Sequence, residues 1–335
     1  MARSGIICAG TVVLDVNNLI DGWPAEEQIA FIRQCIPAPG GPPHNAATSL
    51  MRLEAPFPVS LIAVVGDDAH GRLILEKVAG SGLDVSQIRT VRGINTDYTH
   101  VMTSMATGRR TFFYEHGANN TLQAEHLVPK DDTAKIFYLG SPGLSHSMDE
   151  SDGWRQVLKA VRVRGFKTCM ELCPVPPEIQ RMHVRPCLPH LDYFVINDSE
   201  AEIVSGLPVL SKDNFDIELA FAAAEKLLQM GVRDVVAIHH PMGAVGVTSG
   251  GQRAAAASVR VPRSEIVSAV GAGDAFYAGM LFGLHENWTL EKCLALGNAA
   301  AATSLHSPTT SASIRPWAEC LAYAADHGLR PTAAR

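Results

Sequence analysis

The chain has 335 residues, of which 47% are hydrophobic and 19% charged, a composition typical of an ordinary enzyme with a large core. Its net charge is −6 and no run of five or more Lys or Arg occurs, which argues against nucleic acid or an anionic membrane surface as a main partner. The seven cysteines form no C-x2-C pair, so no zinc ribbon is expected, and reduced thiols in a chain of this size indicate the cytosol.

The beginning of the chain, "MARSGIICAGTVVLDV", contains only a short apolar run before Asp15, so we expect neither a signal peptide nor a membrane span. Apolar β-rich runs then alternate with helical patterns. The runs predict strands at 5–14, 59–65, 99–105, 110–115, 134–140, 192–197, 234–240 and 244–249. The patterns predict helices at 44–53, 71–82, 150–165, 216–231, 274–286 and 289–305. This alternation predicts a parallel sheet with helices on both faces and ligands beyond the carboxyl ends of its strands.

Two stretches interrupt the alternation. Residues 15–38 form a mixed insert, and residues 97–115 read as a strand, the turn "TGRR" and a second strand. A hairpin and an insert on an α/β core predict a small β-lid, and lids exclude water during group transfer. The alternative is an edge hairpin without a catalytic role.

The stretch "SAVGAGDAFYAGMLFGL" (268–284) joins a glycine-rich turn to an apolar helix. Gly271 and Gly273 allow a ligand to approach the backbone, and a helix N-terminus attracts anions. Asp274 would repel a bound phosphate unless it acts on the nucleophile, so the pattern favours a general base beside a phosphoryl-binding turn. The alternative is an acid that only complements the helix dipole.

The stretch "PAPGGPPHNAATSLMRL" (37–53) places paired glycines before a helix. Gly40 and Gly41 permit close backbone approach, and Asn45 offers both a donor and an acceptor at the helix start. This suits a polyhydroxylated substrate such as a sugar, although a plain loop with a helix cap would leave the same pattern.

The stretch "DYFVINDSEAEIVSG" (192–206) predicts a strand that ends at Asn197, followed by a helix with an acidic first turn. Asn197 and Glu200 are three residues apart and can face one side of the turn, where their oxygens could help to hold Mg²⁺ through waters. A helix cap with dipole-complementing acids is the alternative.

Two further features favour structural over catalytic roles. The acids in "VVGDDAHG" (64–71) are expected to shape a turn. The adjacent His239 and His240 end a predicted strand and point apart, which favours a loop or nucleotide-edge position over metal ligation.

Four of these stretches, in this order, resemble the signatures of the PfkB (ribokinase-like) carbohydrate kinase family. They are "GGPPHNAA", "AVVGDDAHG", "NDSEAEIVSG" and "AVGAGDAFYAGMLFGL", and "LGNAAAATSL" is similar to the helix that follows in that family. The resemblance covers about residues 5–315. It implies one Rossmann-like, three-layer α/β/α domain across residues 1–335, with a β-sheet lid from about 12–38 and 97–116.

The resemblance also implies roles for individual residues. Asp274 would be the catalytic base, and Gly271, Ala272 and Gly273 would form the anion hole. The sugar would contact Asp15, Gly40, Gly41, Asn45 and the lid residues Met102 and Tyr114. ATP would lie by Asn197, His240, Gly243, Gly273 and Asn298, with Mg²⁺ near Glu200 and Asn197 through water.

Three departures from the family pattern stand out. "MELCPVPPEIQ" puts Glu171 and Cys173 where the family has an acid and an amide. "IHHPMG" puts His240 in place of a glycine, and "SAVGAGD" lacks the usual threonine, which leaves a monovalent cation open.

The resemblance implies a cytoplasmic, ATP-dependent kinase that phosphorylates a sugar hydroxyl, a primary alcohol in our reading. A nucleoside kinase of the same fold is the first alternative, and a non-catalytic ligand sensor is the second. Since lids of this family pair between subunits, a homodimer through the lid is a further expectation.

Overall fold

A computed structural model describes residues 3–212 and 214–331. It contains strands β1 to β15, which are Ile6–Gly10, Val13–Ile20, Ile32–Gly40, Val59–Gly66, Asp84–Val91, Tyr98–Ser104, Arg110–Glu115, Ile136–Gly140, Lys167–Glu171, Tyr193–Asn197, Leu210–Ser211, Asn214–Phe215, Val235–His240, Gly243–Thr248 and Arg253–Ala257. Its helices α1 to α11 are Pro42–Arg52, Ala69–Gly80, Ala124–Leu127, His146–Glu150, Gly153–Val163, Pro177–Val184, Asp198–Ser205, Ile217–Gln229, Ala272–His285, Leu290–Ser304 and Trp317–His327.

The largest sheet has nine strands in the order β15-β14-β13-β10-β9-β8-β1-β4-β5. From β13 to β5 all neighbours are parallel, whereas β14 and β15 extend the sheet antiparallel at one edge. The inner strands of the parallel part are buried almost throughout, because helices cover both faces, whereas the edge strand β5 is partly exposed. The predicted fold, a three-layer α/β/α domain with a small extra sheet, is confirmed.

The hydrophobic core lies in two layers, one on each face of this sheet. In β1 the side chains alternate between them: Ile6 and Cys8 face the layer under α1, α9 and α10, and Ile7 and Ala9 face the layer under α5 and α8. Helix α9 packs over the sheet against α1 and α10. Since it is surrounded in this way, it is apolar on nearly all sides. Its N-terminus is therefore fixed at the carboxyl ends of the strands.

A separate four-stranded sheet, called the small sheet below, has the order β3-β2-β6-β7. The predicted strand at 5–14 is in fact two strands, since β1 ends at Gly10 and β2 begins at Val13 and leaves the large sheet for the small one. The mixed insert supplies β3, which was not predicted as a strand because its side chains from Ile32 to Ile36 are mostly exposed and show no apolar alternation. The small sheet thus consists of the two stretches that interrupt the α/β pattern.

Two further observations concern membrane crossing and the start of α2. Among the described residues, none of the helices combines the length and apolarity that a membrane crossing requires. Asp68, one of the acids expected to shape a turn, caps α2 by accepting the Gly71 N–H at 2.8 Å.

Candidate active site

The turn before α9 requires glycine at one position. Gly271 caps the helix with φ of 77°, and a Cβ there would lie 2.4 Å from the Thr310 carbonyl oxygen. Gly273 has room instead, since the atom nearest to a Cβ at that position would be His239 Cε1 at 3.5 Å. The first N–H groups of α9 face outward beside Gly273 without a side-chain cap, which makes this helix start suitable for an anion.

Asp274 lies in the first turn of α9, half-buried, where elements from both ends of the chain meet. Its carboxylate lies close enough to Asn45 of α1 and Glu171 at the end of β9 for both side chains to lower its pKa, and Arg110 of β7 acts on it electrostatically. Burial raises the pKa of Asp274, and the Arg110 charge, the Asn45 amide and the Glu171 carboxyl oppose that rise. Asp274 is therefore a base held among polar groups rather than a surface acid.

The predicted sugar-binding residues lie together next to Asp274. A Cβ on Gly40 would lie 2.0 Å from the Asp15 carboxylate, and Gly41 has φ of 93° and starts α1, so this pair admits only glycine. Burial raises the pKa of Asp15 to about 7, with a smaller contribution from the Asp274 charge, while Thr99 and Arg110 lower it. The Asn45 oxygen accepts from the Thr310 hydroxyl at 3.3 Å, which leaves its NH₂ group for Asp274.

The two predicted lid residues lie on opposite faces of the small sheet. Tyr114 pairs with Thr99, which pairs with Asp15, so these three share the face toward Asp274. The Tyr114 hydroxyl donates to Asp97 at 2.9 Å. Met102 is three residues from Thr99 and lies on the other face, so the expected contact of Met102 with the sugar does not fit the observed register.

A cavity of about 540 Å³ adjoins Gly273, and neither Asp15 nor Asp274 is among its lining residues. Its apolar wall would suit a flat ring and consists of Val259, Val261, Ile266, Phe276, Ala301 and Leu305. Its polar lining is Asn197, Asp198, His239, His240, Asn298 and Arg330. The volume and the combination of an apolar wall with few polar groups are typical of a cofactor or nucleotide site.

Of three residues predicted to contact ATP, two line this cavity and one does not. Asn298 lines this cavity, and its amide donates to the carbonyls of Ala256 and Ala257 at 3.1 and 3.2 Å. His240 also lines it and stacks on Phe215 with ring centroids 4.9 Å apart. Gly243 is not among the lining residues; a Cβ there would lie 2.6 Å from the Ala256 carbonyl, so close packing of β14 on β15 explains this glycine.

Asn197 and Glu200 form a reciprocal capping box at the start of α7. The Asn197 side chain accepts the Glu200 N–H at 2.9 Å, and the Glu200 carboxylate accepts the Asn197 N–H at 3.0 Å. Burial raises the pKa of Glu200 to about 7. Within residues 3–212 and 214–331 no group of three His, Cys, Asp or Glu side chains is arranged to hold a metal, so a cation here would rely on water and on a ligand's own oxygens.

The sequence did not predict the contacts that three residues make at the site. Glu171, a departure from the family pattern, contacts Asp274 and accepts from the Tyr138 hydroxyl. Arg110, which belongs to the predicted "TGRR" turn, faces Asp15 and Asp274. His239 has its ring 4.7 Å from that of Phe276, beside Gly273. No local pattern identifies these residues, because each meets its partner only through the fold.

Comparison with known proteins agrees with this arrangement. The sequence model of the pfkB family of carbohydrate kinases matches residues 6–317. A ribokinase from Arabidopsis thaliana is 25% identical over 302 residues, covering 88% of this chain and 74% of the relative. A 5-dehydro-2-deoxygluconokinase from Clostridium beijerinckii is 24% identical over 322 residues, covering 92% and 89% of the two chains.

Solved structures with the same fold include two with informative ligands. One from E. coli, described as ribokinase II in complex with ATP and Mg²⁺, has a TM-score of 0.78 at 19% identity and covers 98% of this chain and 100% of its own. A nucleoside kinase from Burkholderia thailandensis in complex with inosine has a TM-score of 0.74 at 19% identity, again covering 98% and 100%.

Proposed function

The chain belongs to the pfkB family of carbohydrate kinases, and we propose that it transfers the γ-phosphoryl group of ATP to a primary hydroxyl of a sugar, with Asp274 as the base. The observation that carries this proposal is the position of Asp274 between two sites. Asp15, which lies against Gly40, acts on Asp274, and the apolar cavity begins at the adjacent residue Gly273.

In the proposed reaction the sugar hydroxyl lies between Asp15 and Asp274. The Asp274 carboxylate accepts the hydroxyl proton as the oxygen attacks the γ-phosphorus, and the bond from that phosphorus to the bridging oxygen of ADP breaks. In this proposal the Asn45 amide, whose oxygen is held by the Thr310 hydroxyl, helps to orient the carboxylate. Positioning of this kind supplies much of the rate in phosphoryl transfer.

We propose that the N–H groups of residues 271 to 273 stabilise the charge that develops on the transferring phosphoryl group. They lie at the positive end of the α9 dipole, and Gly273 leaves space for an oxygen to approach. The glycines and the carboxylate then serve different partners, since the glycines bind the phosphoryl group and Asp274 binds the attacking hydroxyl.

Mg²⁺ would neutralise phosphate charge and fix the phosphate chain when it is bound. The residues near its expected place are Asn197 and Glu200, whose oxygens are already engaged in the capping box. We therefore propose that they reach the ion through water. The same proposal puts the adenine against the apolar wall near Asn298, with His240 at the edge.

The small sheet acts in this proposal as a lid on a single kinase domain. Its face toward Asp274 carries Asp15, Arg110 and Tyr114, so the sheet supplies one wall of the sugar site. A cytoplasmic location fits the supply of ATP and the seven free cysteines.

Coupled ADP-release assays over sugars, sugar acids and nucleosides, with Mg²⁺ present, test the proposal. We expect acceptor-dependent ADP release with at least one sugar, and product analysis should find a phosphate ester at the primary carbon. Absence of turnover with every acceptor would refute the proposed reaction.

The role of Asp274 has its own test. Asp274→Asn keeps the size and the hydrogen-bonding shape of the side chain but removes the base, so kcat should fall by about 10²–10⁴-fold while the melting temperature stays within a few degrees. Asp326→Asn, an exposed acid on α11, is the control and should match the wild type. Full activity in Asp274→Asn would refute the assignment.

A nucleoside kinase is the second candidate, because one aromatic side chain favours it. Phe112 lies on the same face of the small sheet as Arg110 and Tyr114 and is 46% exposed. The Arg110 guanidinium lies over the ring at 5.7 Å, so in this proposal a base stacks on the side of the ring that Arg110 does not cover. Higher kcat/KM for nucleosides than for free sugars in the panel above would decide in favour of this candidate.

We also propose that two chains pair through the small sheet. A set of large apolar side chains is exposed there: Trp23, Ile29, Phe31, Ile32, Met105 and Phe113. Trp23 and Phe113 lie together, with ring centroids 6.3 Å apart, and we propose that the six side chains form one patch. Exposed apolar patches of this kind mark interaction surfaces.

A further inference from the structure

Arg110 occupies an unusual position for an arginine at the start of a surface strand. It pairs with Thr103 in the small sheet and shares a face with Tyr114, four residues on, and with Asp15. Its side chain is half-buried, whereas that of the preceding Arg109 is exposed. The chain thus directs one arginine of the "TGRR" turn toward the site and the other toward solvent.

The guanidinium of Arg110 lies near two carboxylates without pairing tightly with either. It acts on both Asp15 and Asp274. Yet among the salt bridges of the described residues, all within 4.0 Å, none includes Arg110. Its guanidinium lies over the Phe112 ring, 5.7 Å from the ring centroid, on the face of the small sheet that carries Asp15.

Most of the ionisable groups around Asp274 are acidic side chains. The ionisable groups that act on it or lie beside it come from separate elements and are Asp15 of β2, Arg110 of β7, Tyr138 of β8, Glu171 of β9 and Glu200 of α7. From α1 the neighbour is the uncharged amide of Asn45. In the part of the chain that the structure describes, neither Lys nor Arg forms an ion pair with any of these acids, and Arg110 acts electrostatically on two of them, Asp15 and Asp274.

Burial raises the pKa of Asp274 and also that of Glu171, whose pKa lies well above its ordinary value. Arg110 is the charge that opposes this for Asp274 and, to a smaller degree, for Asp15. The effect of the Arg110 charge on the pKa of Asp274 weakens as the two groups separate or as water enters between them.

We infer that Arg110 is a positioning residue that carries a positive charge from the small sheet to Asp274 and keeps this base ionised while the sheet covers the site. The inference rests on the proposed role of Asp274. Burial under the sheet raises the pKa of Asp274, and the same sheet brings the Arg110 charge that opposes this rise. Covering the site and supplying the counter-ion of the base are then one event.

The test is the pH dependence of kcat/KM in Arg110→Gln, Arg110→Lys and Arg109→Gln, with the acceptor on which the wild type is most active. Arg110 lowers the pKa of Asp274, so removing it raises that pKa, and the acid limb of the Arg110→Gln profile should move to higher pH. Each unit of movement lowers kcat/KM about tenfold at a fixed acid pH. At alkaline pH the variant should recover most of its activity.

The two other variants complete the design. Arg110→Lys keeps the charge on a shorter side chain and should return the limb most of the way to the wild-type position. Arg109→Gln should leave the profile unchanged, because this side chain is exposed. Melting temperatures of the three variants identify any loss that comes from misfolding, and Arg110→Lys keeps the test decisive if Arg110→Gln is unstable.

Two outcomes would overturn the inference. An Arg110→Gln profile with an unmoved acid limb is one, and an equal loss at every pH, as expected for a residue that only binds the phosphoryl group, is the other. A wild type that releases no ADP with any acceptor would instead refute the proposed function, so the two failures can be told apart.

Discussion

Glu171 is the residue whose surroundings differ most from the family pattern. It lies at the end of β9, contacts Asp274, and accepts from the buried Tyr138 hydroxyl. Burial and the Asp274 charge raise its pKa well above the ordinary value, which keeps it a neutral acid that donates to Asp274. Two carboxyl groups that share one proton hold each other in place more firmly than two carboxylates could.

Glu171→Gln should therefore flatten the pH dependence of stability. The folded chain keeps a proton on Glu171 that the unfolded chain loses above the ordinary pKa of 4.5, so wild-type stability falls as the pH rises through neutrality. Glutamine carries no such proton, and we expect the decrease in melting temperature between pH 6 and pH 9 to be roughly 2–4 °C smaller than in the wild type. Differential scanning calorimetry measures this directly.

The control for this prediction is Glu76→Gln, an exposed acid on α2. It should reproduce the wild-type pH dependence. Equal slopes for Glu171→Gln and the wild type would mean that Glu171 is ionised in the folded chain, which would contradict the neutral pair.

At the scale of elements, the start of α9 combines two glycines with different tasks. A methyl group at Gly273 would find ordinary contact distances, so Gly273→Ala should fold normally and gain up to ~1 kcal/mol of helix stability. The same methyl would occupy the space proposed for a phosphate oxygen, and we expect kcat/KM for ATP to fall about 10²-fold. Steady-state kinetics with ATP as the varied substrate and a thermal melt separate the two effects.

Gly271→Ala should show the reverse order of effects. Its φ of 77° and the Thr310 carbonyl 2.4 Å from the new methyl make the substitution strained, at a cost of about 1–3 kcal/mol or more. Gly80→Ala at the end of α2, where a methyl would meet no atom within 4 Å, serves as the neutral control. A Gly273→Ala variant with normal ATP kinetics would argue against the anion site at this helix.

The elements that the sequence predicted well are those with local signals. The α9 turn, the capped start of α7 and the long apolar helices each depend on residues within a few positions of one another. Strands β3, β5, β9 and β15 were missed. Most of β3 is exposed, β5 has no buried residue, and β9 and β15 are short and partly polar or exposed. The contacts of Glu171 and Arg110 with Asp274 join residues more than 100 positions apart, and no periodicity in the chain encodes them.

At the scale of the molecule, the small sheet has two surfaces with different proposed roles. One face carries Asp15 and Arg110 toward Asp274, and its far end and the loop after β2 expose the apolar patch that includes Trp23 and Ile29. Pairing of two chains through this patch would restrict how far each small sheet can move from its own site. Oligomeric state and catalysis would then be linked through the same element.

Ile29→Asp tests this pairing. Ile29 is 85% exposed, so the substitution should leave the fold intact, but a buried charge in an apolar interface should weaken self-association by tenfold or more, since losing the burial of one such side chain costs ~1.5–3 kcal/mol. Val163→Asp, on the far end of α5 and 89% exposed, is the matched control. Sedimentation velocity over a concentration series should show a dimer for the wild type and the control and a larger monomer fraction for Ile29→Asp. Two results would rule out pairing through this patch, which is where the proposed interface buries its largest apolar side chains. One is a wild type that sediments as a single chain at every concentration. The other is an Ile29→Asp variant that associates as strongly as the control.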